Sequence, residues 1–486
     1  MHSIWQTESA GIPENRKEFE HRADVIVIGA GLAGVLTGWF LKQKGLRPLL
    51  IEAGEPGCGQ TGNTTAKVTC QHGAGLDHLI RTVGLSRAGQ YVQANAWAVR
   101  EYENLIREKR ILCDWKQAAS CLYTTVDSLR LEREQKAANR LGLSVYLSDR
   151  TELPFPVTGA LYLKKQGMFS PLKFLDALAR ELDIMCHTAV LGVEENTVFT
   201  ERGEFFAEHI VMADHFPFRI RPGYYFMRLY QQRSYVLALR KVQEMEAMYL
   251  EAEPNGLSFR AFPGGILFGG CGHRAGKIPE ENPYTVLRRK ANWFWGTCRE
   301  EAHWSAQDCM TMDGLPYIGR FSSRYANQYV ATGFGKWGMT NSMVAARLIS
   351  DAVTGEENPW KEAFSPQRFT PRASLPGLIR QTAVSAKNIA LRLFEMPQET
   401  ADTIPKGKGG IIVYRGQKAG AYKDEQGNLY TVSVRCPHLG CELQWNPADR
   451  TWDCPCHGSR FDFQGNRIEN PAQTDITLSC TCSADD

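Results

Sequence analysis

The sequence predicts an α/β body followed by a small all-β domain, and three observations carry that reading. Residues 24–54 run strand, glycine turn, helix, strand. From Gly410 onward the chain breaks into short strand-like runs, Ile411–Tyr414 and Leu429–Val434, separated by Gly, Asn and Pro turns. Six of the 14 cysteines fall between Cys436 and Cys482, a clustering that marks local metal or redox chemistry.

The elements divide 486 residues into four stretches. Residues 1–22 form a polar N-terminal arm without an apolar core, which is not a secretory signal. Residues 23–365 hold the α/β body, with mixed helical and strand patterns after residue 55. Residues 366–409 form a linker in which Leu375, Leu378, Ile379, Val384, Ile389 and Leu393 roughly follow helical spacing. Residues 410–486 are the β domain, and Pro405–Gly410 is the expected boundary.

Composition excludes several classes. Hydrophobic residues make up 43% and charged residues 22%, an ordinary globular balance. A net charge of +3 without a long basic run argues against nucleic acid as a partner. No uncharged apolar stretch reaches the length of a membrane span. The remaining eight cysteines are scattered, none in a C-x-x-C pair, and read as reduced thiols. A cytoplasmic location is expected.

The cysteine cluster contains two boxes, Cys436-Pro-His438-Leu-Gly-Cys441 and Cys454-Pro-Cys456-His457-Gly-Ser459-Arg-Phe461. Each pairs a cysteine with a histidine two or three residues on. Two such loops deliver two thiolates and two imidazoles, the ligand set of a Rieske [2Fe–2S] cluster. Tetrahedral zinc also accepts Cys2His2, but zinc fingers favour C-x2–4-C and H-x3–5-H, whereas each box here is mixed. Cys436, His438, Cys454 and His457 are therefore the expected iron ligands.

The boxes resemble those of the high-potential Rieske proteins of cytochrome bc complexes, over most of residues 410–475. That resemblance implies a disulfide between Cys441 and Cys456, which Rieske oxygenase domains lack. It also implies that the Ser459 hydroxyl bonds a cluster sulfide, and that Asn470-Pro471-Ala472 is the loop covering the cluster. The family tyrosine two residues after the serine is Phe461 here, which donates no bond. The expected potential is below the family's top, inside the broad Rieske range of about −150 to +300 mV. Cys480 and Cys482 match nothing in the family and read as surface thiols.

At the other end, Gly29-Ala-Gly31-Leu-Ala-Gly34 follows the apolar strand Val25–Ile28 and opens a helical run, Val35–Lys44. A second strand, Leu49–Ile51, ends in Glu52. Gly29 permits the turn, Gly31 lets backbone approach a pyrophosphate and Gly34 lets helix pack on strand. Glu52 is placed for ribose hydroxyls. This is a Rossmann-like dinucleotide site. Asp313-Gly-Leu-Pro-Tyr-Ile-Gly319 and Ala331-Thr-Gly333-Phe-Gly335-Lys336-Trp-Gly338-Met339-Thr340 follow far downstream, before a helical run, Asn341–Val353.

Together these segments resemble the D-amino acid oxidase-like (DAO) superfamily of FAD amine oxidoreductases, over roughly residues 20–360. The resemblance implies FAD as cofactor, an α/β substrate domain interleaved with the FAD-binding domain, and a helix N-terminus aimed at the flavin pyrimidine. Matching positions are Gly29, Gly31, Gly34, Glu52, Thr64, Thr65, Val190, Asp313, Gly333, Gly335, Gly338 and Met339. Where the family commonly reads Ala-Thr-Gly after the strand Ile210–Met212, this chain reads Ala213-Asp214-His215-Phe216, and no role is assigned there. Gly264–His273 surrounds a strand rather than opening a helix, so NAD(P)H is disfavoured.

By the same resemblance, Arg221–Tyr235 builds the substrate roof, with Tyr225, Arg228 and Arg233 as candidates for an Arg–carboxylate pair and aromatic walls. Lys67 and Lys336 are candidates to stand near the flavin. His72 and Cys309 match no covalent-flavin motif. The order of domains resembles a bacterial family of fused DAO-type flavoprotein and Rieske protein. The function expected is oxidation of an amine or amino-acid-like small molecule, with single electrons passed through the cluster to an unidentified acceptor. A dehydrogenase is favoured over an oxidase. Flow in reverse, as a reductase fed through the cluster, and a non-catalytic redox carrier or sensor remain as alternatives. A Rieske oxygenase would need a mononuclear iron triad, for which no His-rich motif exists.

Overall fold

A computed structural model describes residues 3–8, 11, 19–375, 377–379, 397 and 399–478. Most of the expected linker helix, and Cys480 and Cys482, lie outside these.

The strand Arg22–Ile28 is buried on both faces along Val25–Ile28, as a central parallel strand must be. It pairs in parallel with Pro48–Ile51 on one side and Gly203–Met212 on the other. Asp183–Met185 extends one flank and Tyr325–Thr332 the other, both in parallel, and Tyr317–Ser322 closes the latter edge antiparallel. The order reverses beside Arg22–Ile28, so the crevice at its carboxyl end is the expected ligand position in such a sheet. Helices Leu32–Gln43 and Gly338–Thr354 pack against each other over this sheet and direct their N-termini from the two glycine turns.

A second, nine-stranded sheet forms the substrate domain. Its main path runs Arg299–Thr311, Leu229–Arg240, Gly265–Arg274, Ser258–Phe262, Met248–Glu251, Lys116–Thr124, Gly159–Met168 and Lys67–Val68. One face carries Val236, Ala238, Leu267 and Trp304, which bury Ile4 and Trp5 of the short helix Ile4–Glu8. The opposite face carries Tyr235, Leu237, Phe259 and Phe268 under the helix Pro283–Trp295.

The C-terminal domain holds a three-stranded and a four-stranded antiparallel sheet. Its first strand is Lys408–Tyr414, and Thr400 already bridges to Val413 while Ile404 packs on Ile412 and Ala421. The β domain thus begins some residues before the expected boundary. The Gly-rich run that reads as a break pairs as a strand, where Trp445 lies against Gly409. No helix among the described residues is long and apolar enough to cross a membrane.

Candidate flavin and cluster sites

The two Cys/His boxes sit on neighbouring tight turns. Cys436 N donates to Cys441 O at 2.9 Å and Gly440 N to Cys436 O at 2.9 Å. The second loop repeats the pattern, Gly458 N donating to Cys454 O at 2.9 Å and Cys454 N to Ser459 O at 2.8 Å. Cys441 and Cys456 are disulfide-bonded, tying the turns together. Their sulfurs approach Cys454 Sγ, but once bonded to each other they are no thiolates. Cys436 and Cys454 remain free and buried. Their thiols hydrogen-bond, which lowers the pKa of Cys436 and raises that of Cys454.

The imidazole rings of His438 and His457 lie 4.9 Å apart at 89°, and both Nδ1 atoms are buried without a partner. Burial brings His438 down to about 4 and His457 to about 3, so both rings stay neutral, the form that binds metal. Two free thiols and two orphaned imidazole nitrogens fit a Rieske cluster, whose reach they define without further donors. Ser459 is fully buried; its Oγ accepts from Ala472 N of the covering loop at 3.0 Å, leaving the hydroxyl proton for the thiol side. Phe461 is fully buried and apolar.

The nucleotide cradle is equally specific. A Cβ on Gly34 would stand 1.9 Å from Gly29 O, so the helix can approach the strand only without one. Gly29 has φ +99° and faces Ala213 O, where a side chain would clash at 2.7 Å. Gly31 caps the helix Leu32–Gln43 with no side-chain bond of its own. Glu52 grips the turn, accepting from Ala30 N at 2.7 Å and Gly54 N at 2.9 Å. Val190 is buried at the start of the strand Val190–Glu194. A glycine turn at a helix N-terminus, with a carboxylate beside it, fits a dinucleotide. Thr64 O accepts from Trp5 Nε1 at 2.8 Å, so the N-terminal helix pins the segment expected to run along the phosphates.

At the second turn, Gly333 and Gly335 have φ of +74° and +59°, and Lys336 has +73°. The helix Gly338–Thr354 begins there without a side-chain cap. Met339 is buried and its carbonyl accepts from Tyr102 OH at 2.8 Å. Asp313 is committed elsewhere: Arg368 donates twice to it at 2.7 Å and Thr370 Oγ1 once at 2.8 Å. Its carboxylate fastens the turn to the following segment.

Two lysines come to this region from different elements. Lys67 Nζ donates to Ser258 Oγ at 2.5 Å and to Thr65 Oγ1 at 3.4 Å. Burial, with Arg260 nearby, lowers it to about 7. Lys336 Nζ donates to Ser234 Oγ at 3.2 Å; burial lowers its pKa and Asp308 opposes the shift. Asp308 is itself raised to about 6 by burial, against the pull of Lys336. Sequence reasoning missed Ser234, Ser258 and Asp308, which carry no local motif. His72 uses both ring nitrogens, on Tyr91 OH at 2.6 Å and on Thr69 O at 2.7 Å, and stacks on Trp337 at 4.5 Å. Cys309 is a buried thiol raised to about 12. Neither is poised for a flavin bond.

The roof candidates are corrected by the structure. Tyr225 OH donates to Phe321 O at 2.8 Å. Arg228 lies 4.1 Å over the Tyr317 ring and donates to Pro366 O at 2.6 Å. Both hold the end of the first sheet. Arg233 points the other way, into the Rieske domain, and meets Asp449 and Asp453 at 3.0 Å each. Burial opposes its charge, but those two carboxylates outweigh the penalty and raise its pKa. The physical reason is strand alternation: along Leu229–Arg240, Gln231 and Arg233 face the β domain while Ser234, beyond a bulge, meets Lys336.

That alternation brings both sites onto one pair of strands. Gln231 Nε2 donates to His457 O at 2.8 Å and Gln307 Nε2 to Gly458 O at 2.7 Å. Ser305 Oγ and Tyr284 OH donate to Asp449 at 2.7 and 2.9 Å, and Arg460 joins it at 2.7 Å. Next to Gln307 in sequence, Asp308 answers to Lys336 on the opposite face. A hollow of about 680 Å³ between Gln117, Arg150, Tyr162, Lys164 and Glu246 includes none of these residues.

Comparison with known proteins agrees with this geometry. The family model described as FAD dependent oxidoreductase (DAO) matches residues 24–352, and that of the Rieske [2Fe-2S] domain residues 395–480. The chain is 36% identical over 489 residues to the putative Rieske 2Fe-2S iron-sulfur protein YhfW of Bacillus subtilis, covering 97% of this chain and 96% of that one. Its fold is similar to glycine oxidase from Geobacillus kaustophilus, at TM-score 0.62 and 20% identity, covering 72% of this chain and 100% of the oxidase. It is also similar to L-proline dehydrogenase from P. horikoshii, at TM-score 0.60 and 16% identity, covering 72% and 98%. The glycine cradle, the two-loop ligand set and these matches lead to one conclusion: the chain belongs to the DAO family of FAD-dependent oxidoreductases and carries a Rieske [2Fe–2S] domain at its C-terminal end.

Proposed function

We propose that the protein is a dehydrogenase of amines or amino-acid-like compounds that passes single electrons through its cluster domain to an external acceptor. The observation that carries this reading is the shared wall: Gln231 and Arg233 hold the Rieske domain while Ser234 of the same strand meets Lys336. Bound FAD supplies hydride acceptance, and a [2Fe–2S] cluster supplies one-electron exchange. The chain's own residues do the rest. The helix N-terminus at Gly338 favours negative charge beside it. Lys67, lowered to about 7, is able to give or take a proton near neutrality. Cys436, Cys454, His438 and His457 hold the cluster against the substrate domain.

Arg233 is committed to Asp449 and Asp453 and Arg228 is stacked over Tyr317, so Lys67 and Lys336, with Ser258 and Ser234, are the polar groups favoured to orient substrate. The lowered pKa values of the two lysines support a catalytic reading over a passive carrier, which has no use for lysines tuned toward neutrality. Anaerobic titration with a panel of secondary amines and amino acids tests the reading. At least one compound is expected to bleach the flavin and to bring up a rhombic EPR signal of low average g. Bleaching by chemical reductants alone, with no response to any compound, sinks it.

A further inference from the structure

The two cluster histidines occupy unlike surroundings. His457 is 4% exposed, while His438 is only half-buried, beside the exposed Leu439. Phe226 of the flavoprotein body stands edge-on to both rings, 5.6 Å from His457 and 6.1 Å from His438, and Phe216 stands 6.3 Å from His457. The loop that carries it is held by Gln231 and Gln307 through the carbonyls of His457 and Gly458. Nothing in this seat resembles a loose contact. Arg233 is fully buried between Asp449 and Asp453, and Gly276 touches Pro455 so closely that a Cβ there would stand 2.3 Å from it.

We propose that the Rieske domain is locked in one pose on the flavoprotein body, with His457 sealed inside and His438 as the cluster-ligand edge open to an outside partner. Its physical basis is the charge lock. Across the seat Arg233 meets both Asp449 and Asp453 while Gln231 and Gln307 hold the carbonyls of His457 and Gly458, so separating the domains would break all of these contacts at once. The seat is also close-packed, so small displacements lose contacts rather than trade them. An electron partner is therefore confined to the His438 side, and the inward edge serves the flavoprotein alone. The inference rests on the electron-transfer reading only for that consequence.

Labelling of the intact holoprotein with diethyl pyrocarbonate, read by peptide mass spectrometry, tests the lock without any substrate. The reagent acylates accessible, unprotonated imidazole nitrogen, and the exposed His78 serves as reference. His438 is expected to label readily and His457 slower by about tenfold or more, as for a group reached only through local opening. Two substitutions break the seat in different ways: Arg233→Met removes the lock, and Gly276→Val wedges Pro455 away without stranding a charge. In either variant whose EPR spectrum shows a retained cluster, His457 labelling is expected to rise to the level of His438. Equal labelling of the two histidines in the native protein overturns the proposal. Unchanged protection of His457 in both variants with the cluster retained does so too. The native measurement decides even where a variant loses its cluster. A substrate panel that fails to bleach the flavin would leave the labelling pattern untouched, so the two readings fail separately.

Discussion

The cluster loops and the flavin end lie on opposite faces of the same strands yet are built from opposite materials. The cluster loops are largely apolar around their ligands, with Trp452, Phe461 and Ala472 fully buried and a disulfide across the two turns. The other face gathers ionisable groups instead, Lys67, Lys336 and Asp308, with pKa values moved toward neutrality. The difference follows from what each cofactor moves. A two-electron flavin reaction also moves protons, and needs groups that titrate near working pH. A one-electron centre needs a dry, rigid shell whose dipoles set its potential.

Breaking the rigid side is expected to give the largest effect. His457→Ala removes a ligand, so the rhombic EPR signal should vanish while the flavin absorbance survives; a persisting signal refutes the ligand assignment. On the other side, Gly34→Val drives a side chain into Gly29 O, where even a Cβ stands at 1.9 Å. Purified variant should lack yellow flavin absorbance while keeping its cluster content.

A smaller change sharpens the contrast. Phe461→Tyr offers a hydrogen bond to the cluster environment, and such a bond contributes about 0.5–1.5 kcal/mol. For one electron that corresponds to roughly 20–65 mV, and the potential measured by redox titration should rise. A flat response would show that the ring at 461 does not reach the cluster.

The titrating side is tested by a pH slope. Lys67 is lowered to about 7 in the folded protein, whereas an unfolded lysine titrates near about 10.4. Between those values the unfolded chain binds more protons at this residue, so stability from Lys67 rises with pH across that window. Below about 7 the folded protein also protonates and the slope ends. Lys67→Met should remove this contribution, read as a flatter unfolding midpoint against pH.

Legibility in the sequence followed locality. Gly29, Gly31, Gly34 and Glu52 lie within one strand–turn–helix–strand unit, and the cluster ligands within two short loops, so spacing alone exposes their chemistry. The strand Gln417–Lys423 was not legible, because its Gly and Lys dilute any alternation. Arg233 shows the deeper obstacle. A strand covered on both faces gives no sequence sign of which face looks at the substrate, and the face carrying Gln231 and Arg233 looks at another domain. Trp5 was hidden for a related reason: a polar arm gives no hint that one indole will bond Thr64 O.

If flavin site and cluster domain form one unit, electrons pass between them within a single molecule. Anaerobic photoreduction of the flavin, followed by freeze-quench EPR of the cluster at several protein concentrations, measures this without substrate. The account predicts a cluster signal whose rate of appearance is independent of protein concentration. A rate proportional to concentration would mean that electrons pass between molecules, and would contradict it.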